Sequence, residues 1–171
     1  MFRPRINEFQ TCKAVASGWK GEFQGVLEFM DEWISGDEAS SPFTSPDFLC
    51  FNEPMDFLWI KLLPNDKVDT KGFEIIDFLG GLYVSAIAKD DNIEDLMKTI
   101  NDLKIWINEH NFELDFRSGR YRMTRRITSD KTSEVLEQAL GYGQLEVFIP
   151  ITISTLDSSK KLPNEDALQI D

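Results

Sequence analysis

Two stretches with helical periodicity, residues 26–34 and 93–107, lie among strand-sized apolar runs so that the two halves of the chain match as strand, helix, strand, strand. This repeated order limits the possible folds more than any single motif does. In the first stretch Val26, Leu27, Phe29, Met30, Trp33 and Ile34 form one stripe, with Glu28, Asp31 and Glu32 outside it and Gly36 as a stop. In the second, Ile93, Leu96, Met97, Ile100, Leu103 and Ile107 form the stripe with Trp106 on its flank, and Asp91 followed by Glu94 predicts a capping box. Strands are predicted at 11–17, 48–51, 56–63, 73–78, 82–88, 112–116, 120–127 and 145–153, divided by breakers such as Asn52-Glu53-Pro54, Gly80-Gly81 and Ser118-Gly119. The plan is an α+β domain over 1–153, built from duplicated β-α-β-β units at about 11–64 and 72–153. They would form one antiparallel sheet with two helices on one face and a ligand cleft on the other. Asp56 and Glu146 hold matching places, each early in an apolar strand. Residues 154–171 are polar and pattern-free, which predicts a flexible tail.

Apolar residues make up 42% of the 171-residue chain, enough for one core, and 13 Phe with 4 Trp imply either large buried ring area or a ring-lined pocket. A net charge of −12 repels a phosphate backbone, which argues against direct nucleic-acid binding, and attracts cations or a basic protein partner. Cys12, Cys50 and His110 are too few for a disulfide framework or a zinc site and form no nucleophilic arrangement, so no catalytic residue, metal or cofactor is expected from them. The first residues are polar with no apolar run behind them, and the longest apolar runs are strand-sized. The expectation is therefore no signal peptide, no membrane span and a reducing, cytoplasmic setting.

Glu146 is the main candidate for a site residue. A carboxylate inside the apolar run 145–151 is either solvated on an outward position or buried, and a buried one needs a partner. In the second case it serves as a counter-charge for a cationic ligand or accepts a ligand's hydrogen bond. Trp19, Phe23, Trp59, Tyr83, Tyr121 and Phe148 are the ring candidates for a pocket wall, since rings hold flat, cationic, apolar guests without demanding one substituent pattern. Trp33 and Trp106 lie on helix stripes and read as core. Arg117, Arg120, Arg122, Arg125 and Arg126 form the one basic cluster; alternation places Arg120 and Arg122 on a solvated face, with a docking patch for an acidic partner as the alternative.

Four pieces of the chain together resemble the GyrI-like effector-binding family, from about Cys12 to Ile153. They are Ala14-Val15-Ala16 with Gly21-Glu22-Phe23, then Gly80-Gly81-Leu82-Tyr83-Val84, then Trp106-Ile107 followed by Asn111-Phe112-Glu113-Leu114, and finally Leu145-Glu146-Val147-Phe148-Ile149-Pro150-Ile151. The family includes drug-sensing domains of bacterial transcription regulators and stand-alone gyrase-inhibitor relatives. The resemblance implies multidrug-type binding of small organic ligands, with Glu146 as the pocket carboxylate and Tyr83 and Phe148 in the pocket wall. Some relatives hydrolyse small electrophilic compounds with a pocket Glu, and others inhibit a protein target such as gyrase. The chain departs from the family's Gly-Pro-Tyr turn at Gly21-Glu22-Phe23 and again at Lys89-Asp90-Asp91-Asn92.

Because residues 155–171 carry no apolar period, truncation after Ser154 should leave the melting temperature nearly unchanged. A large drop in a thermal unfolding curve would mean that Leu156, Leu162 or Leu168 docks on the domain.

Overall fold

The computed structural model describes residues 2–22, 26, 47–52, 56–63, 70–127, 135 and 137–154. Among them the strands are β1 (Arg5–Phe9), β2 (Cys12–Ala16), β3 (Asp47–Asn52), β4 (Asp56–Leu63), β5 (Glu74–Phe78), β6 (Gly81–Lys89), β7 (Phe112–Leu114), β8 (Met123–Arg126) and β9 (Gln144–Ile153), with the helix α1 (Ile93–Glu109) between β6 and β7. All strand pairs are antiparallel, in the order β1-β6-β9-β8-β3-β4-β2-β5, and β7 pairs with the far end of β9. The protein is therefore α+β and dominated by its sheet. The order reads the same from either edge once β1, β2, β3 and β4 are exchanged for β5, β6, β8 and β9. The predicted first helix lies outside the described residues apart from Val26, which is fully buried, and so does the predicted tail beyond Ser154.

β6 and β9 are largely apolar on both sides, for two different reasons. On one side of the sheet Val84, Ala86, Ala88, Val147, Ile149 and Ile151 pack against Ile100, Leu103 and Ile107 of α1. On the other, Phe48, Cys50, Leu58, Ile60, Tyr83, Met123 and Phe148 join Phe78, Ala14 and Ala16, with Phe9 packed against them. The first is the helix face and the second the ring face. Pro150 is tolerated inside β9 because its nitrogen faces the gap between β8, which pairs with Leu145–Phe148, and β7, which pairs with Ile151–Ile153. Its carbonyl accepts from the Asp115 N–H in that gap (3.0 Å).

Three details of the sequence reading change. The helix cap is Asn92, whose side chain accepts from the Asp95 N–H (2.9 Å), because Asp91 is left-handed (φ 54°) and belongs to the preceding turn. Ile93 and Met97 are exposed (69% and 54%), so the buried stripe begins only at Leu96 and Thr99. Arg120 is not on a solvated face: it is 4% exposed and lies before β8 begins, where strand alternation does not apply.

β1 was absent from the sequence reading, and it depends on an unusual crossing. The link from β1 to β2 runs against the link from β5 to β6 so closely that a Cβ at Gly80 would collide with the backbone of Phe9, Gln10 and Thr11. Thr11 Oγ1 accepts from the Gly80 N–H there (3.1 Å). Beneath the crossing, the Arg120 guanidinium donates to the carbonyls of Gly80, Leu82 (2.6 Å) and Ile151 (3.1 Å). Its Nε stands 3.3 Å from Asp115, and it covers the Tyr83 ring at 4.4 Å. Gly81, at φ +119°, is tied to the same clip, since a Cβ there would stand 2.6 Å from Arg120 Nη1. Asp115 is gripped from outside by Arg117 (Nε to Oδ1 2.7 Å, Nη2 to Oδ2 2.8 Å), and those hydrogen bonds hold its carboxyl below the ordinary carboxylate range.

Gly80→Ala must push two backbone segments apart, and should lower stability in denaturant unfolding by at least about 3 kcal/mol. Gly21→Ala is the control, since its nearest neighbour would be 3.8 Å away, and it should stay within about 1 kcal/mol of the parent. Equal effects at the two positions would show that the crossing is not tight.

Candidate functional site

Antiparallel register decides which of the predicted site residues share a face, because directly paired residues point the same way. Glu146 is paired with Ile87 on β6 and Arg125 on β8; Phe148 is paired with Ser85 and Met123; Tyr83 is paired with Pro150 and, across the other edge, with Asn7. Glu146, Phe148 and Tyr83 therefore all point to the ring face. Tyr121, half-buried, packs against the same ring cluster, and Trp19 reaches it through Tyr121, with ring centroids 6.2 Å apart. Trp59 does not join them. It lies on the opposite side of β4, with Val15, Leu63 and Phe73, and its Nε1 donates to Asp47 (3.0 Å). Phe23 lies outside the described residues.

The rings form a packed floor. Phe9 meets Phe48, Phe78, Tyr83 and Phe148 edge-on at 5.2–6.1 Å, and Phe48 meets Phe148 in the same way at 5.6 Å. Phe78 stacks on Tyr83 at 6.3 Å. Such edge-to-face pairs each add about 0.5–1.5 kcal/mol beyond area burial. Burial pushes the Tyr83 hydroxyl up to about 12, with the neighbouring Arg120 charge pulling the other way, so at neutral pH it remains a phenol.

Polar chemistry begins at the end of this floor. Glu146 is 7% exposed, and its Oε1 accepts from the Ser85 hydroxyl at 2.7 Å. Ser85 in turn accepts from the Asn7 side-chain amide at 2.8 Å. Arg5, two residues before Asn7 on β1, brings a guanidinium nitrogen to 3.7 Å from the same carboxylate oxygen, while its own side chain is 60% exposed. Arg125 stands on this face too, with its guanidinium over the Phe48 ring (5.9 Å). The sequence reading missed Arg5, Asn7 and Ser85. The available signal was the alternation Arg5, Asn7, Phe9, which places three non-adjacent side chains on one side of a short strand.

An open cavity of about 700 Å³ lies beyond the Lys89 end of β6, bordered by Asp90, Asp91, Glu137, Tyr142 and Gly143. A smaller one of about 210 Å³ adjoins Gly80, Arg120 and Ile151. Among the described residues no group of three or more His, Cys, Asp or Glu side chains is placed to hold a metal ion, and no helix is long and apolar enough to cross a membrane. Cys12 and Cys50 are free thiols, and burial raises both.

No family model matches the chain, and no curated protein matches its sequence. Solved structures do match its fold. The C-terminal domain of EcmrR superposes with a TM-score of 0.62 at 12% identity, over 90% of this chain and 99% of that one. EcmrR in its DNA complex gives 0.61 at 12% identity, over 89% of this chain but 58% of that one. A hydrolase from Listeria innocua gives 0.57 at 11% identity, over 88% and 92%. At these identities the likeness is one of fold.

Proposed function

We propose that this chain is a GyrI-like effector-binding domain that takes small, apolar, positively charged organic ligands on its ring face, with Glu146 as the counter-charge. The observation that carries the reading is the state of that carboxylate. It is buried in an otherwise apolar strand, held by one serine hydroxyl and by a loose contact with a mostly exposed arginine. A buried carboxylate so lightly paired gains from a cation that enters beside it, because the guest restores the solvation lost on folding. The packed rings beneath supply the apolar floor. The fold likeness to the EcmrR C-terminal domain agrees with an effector-binding role, and the strand order, unchanged on exchanging the two halves, supports a duplicated β-α-β-β unit. The DNA contact belongs to EcmrR as a whole, of which this chain spans 58%; a net charge of −12 argues against direct DNA binding here. Free thiols suit a reducing, cytoplasmic setting.

A hydrolytic reading has one observation behind it, the shared fold with the Listeria innocua hydrolase. It would use Glu146 to activate water. The Glu146 side chain is only 10% exposed and its Oε1 is engaged by Ser85, so binding is the better fit for this geometry. Inhibition of a larger protein target such as gyrase would rest on the acidic surface alone.

Thermal shift against a panel of cationic dyes should show saturable stabilisation, and calorimetry then tests the residue. Glu146→Gln keeps an acceptor for Ser85 and removes the charge. It should weaken tryptamine by about 1–3 kcal/mol and leave the neutral isostere 3-propylindole almost unaffected. Equal losses for both ligands would confine Glu146 to shaping the fold, and turnover of an electrophilic ester would favour the hydrolase.

A further inference from the structure

The ring face carries more positive charge than a site for simple cations needs. In a protein of net charge −12, Glu146 has an arginine on each side: Arg5 from β1, with a guanidinium nitrogen at 3.7 Å, and Arg125, its direct cross-strand partner on β8. Cross-strand partners of opposite charge stand with Cβ atoms about 5 Å apart and ordinarily pair. Here, among the described residues, no ion pair joins Arg125 to Glu146. Arg125 instead stands over Phe48, and its Nε is buried without a hydrogen-bond partner. Glu146 is turned toward Ser85 and Arg5. An unsatisfied guanidinium nitrogen on one strand and a lightly paired carboxylate on the next define two complementary half-sites on the same face of the sheet.

We propose that the preferred guest is an aromatic zwitterion, carrying an amine and a carboxylate close together as an amino acid does. Its amine lies against Glu146 and its carboxylate accepts from Arg125. The inference rests on the ring-face reading above and specifies its ligand class. A guest with only the amine leaves Arg125 unsatisfied and places its cation between two guanidinium groups. A guest with only the carboxylate faces Glu146. The zwitterion meets both requirements, and the planar guanidinium of Arg125 offers the carboxylate a two-point contact that a lysine would not.

Isothermal titration with three indoles separates the cases: tryptamine, tryptophan and indole-3-propionate. The full chain should bind tryptophan at least about tenfold more tightly than either of the others, the worth of one charge-assisted hydrogen bond in a partly buried site. Arg125→Met keeps the stem over Phe48; it should erase the preference for tryptophan over tryptamine and leave tryptamine itself no weaker. Arg125→Lys restores the charge without the fork and should recover part of the preference, which a merely structural role for Arg125 would not produce. Tryptamine equal to or tighter than tryptophan on the parent chain would overturn the inference and leave the cationic reading standing. Equal losses of tryptamine and tryptophan in Arg125→Met would also overturn it. Failure of all three to bind would remove both.

Discussion

The structure depends on the crossing of two backbone links at Gly80. Because the Gln10–Thr11 link runs in contact with the Leu79–Gly80 link, β1 is delivered to β6 and β5 to β2, so each edge strand pairs with a strand from the other half of the chain. Arg120 locks the crossing from below by taking carbonyls from the β5–β6 corner and from β9 at once, and Asp115 neutralises it. A buried arginine is tolerable only when its charge is paired and most of its donors are matched in this way. The result is that Phe9 and Phe78, from strands at opposite edges of the order, meet in one ring cluster. The crossing also lays Arg5 and Asn7 along Ser85 and Glu146. The polar end of the ring face therefore depends on a crossing that requires a glycine at position 80.

Much of the sheet was legible from periodicity. The predicted strand at 56–63 coincides with β4, and those at 48–51, 82–88 and 145–153 fall within a residue of β3, β6 and β9. These strands are buried on both faces or alternate cleanly, and a long apolar run has few other fates. β1 escaped because Arg-Ile-Asn-Glu-Phe has only two apolar residues, and one of them, Ile6, points to solvent. An edge strand with an arginine and an asparagine among its three inward residues looks like a polar leader until its partner is known. Glu146 stood out as a carboxylate in an apolar run. Its partner Ser85 did not, since a serine in a strand is unremarkable without the register. Trp59 could not be placed from sequence because β4 is apolar on both sides, and only pairing tells which side faces the rings. Arg120 was misread because alternation was extended past the start of β8.

The electrostatics of the ring face qualify the lesson of the net charge. An overall −12 describes the surface as a whole, yet Glu146 is flanked on the ring face by two arginines, Arg5 and Arg125. Local charge decides which ligand fits, and net charge decides mainly solubility and long-range attraction. The rings are already packed on one another, so on the proposed reading they act as a floor, and a guest would engage the polar end where Glu146, Arg5 and Arg125 stand.

On the proposed reading, ligands bind at the Glu146 end of the ring face and not in the larger open cavity beside Lys89 and Tyr142. Amide shift mapping by two-dimensional NMR during a tryptamine titration tests it most directly. The account predicts that the perturbed amides are those of Arg5, Ser85, Ile87, Arg125 and Glu146. Shifts confined to residues 89–92 and 137–143 would contradict it.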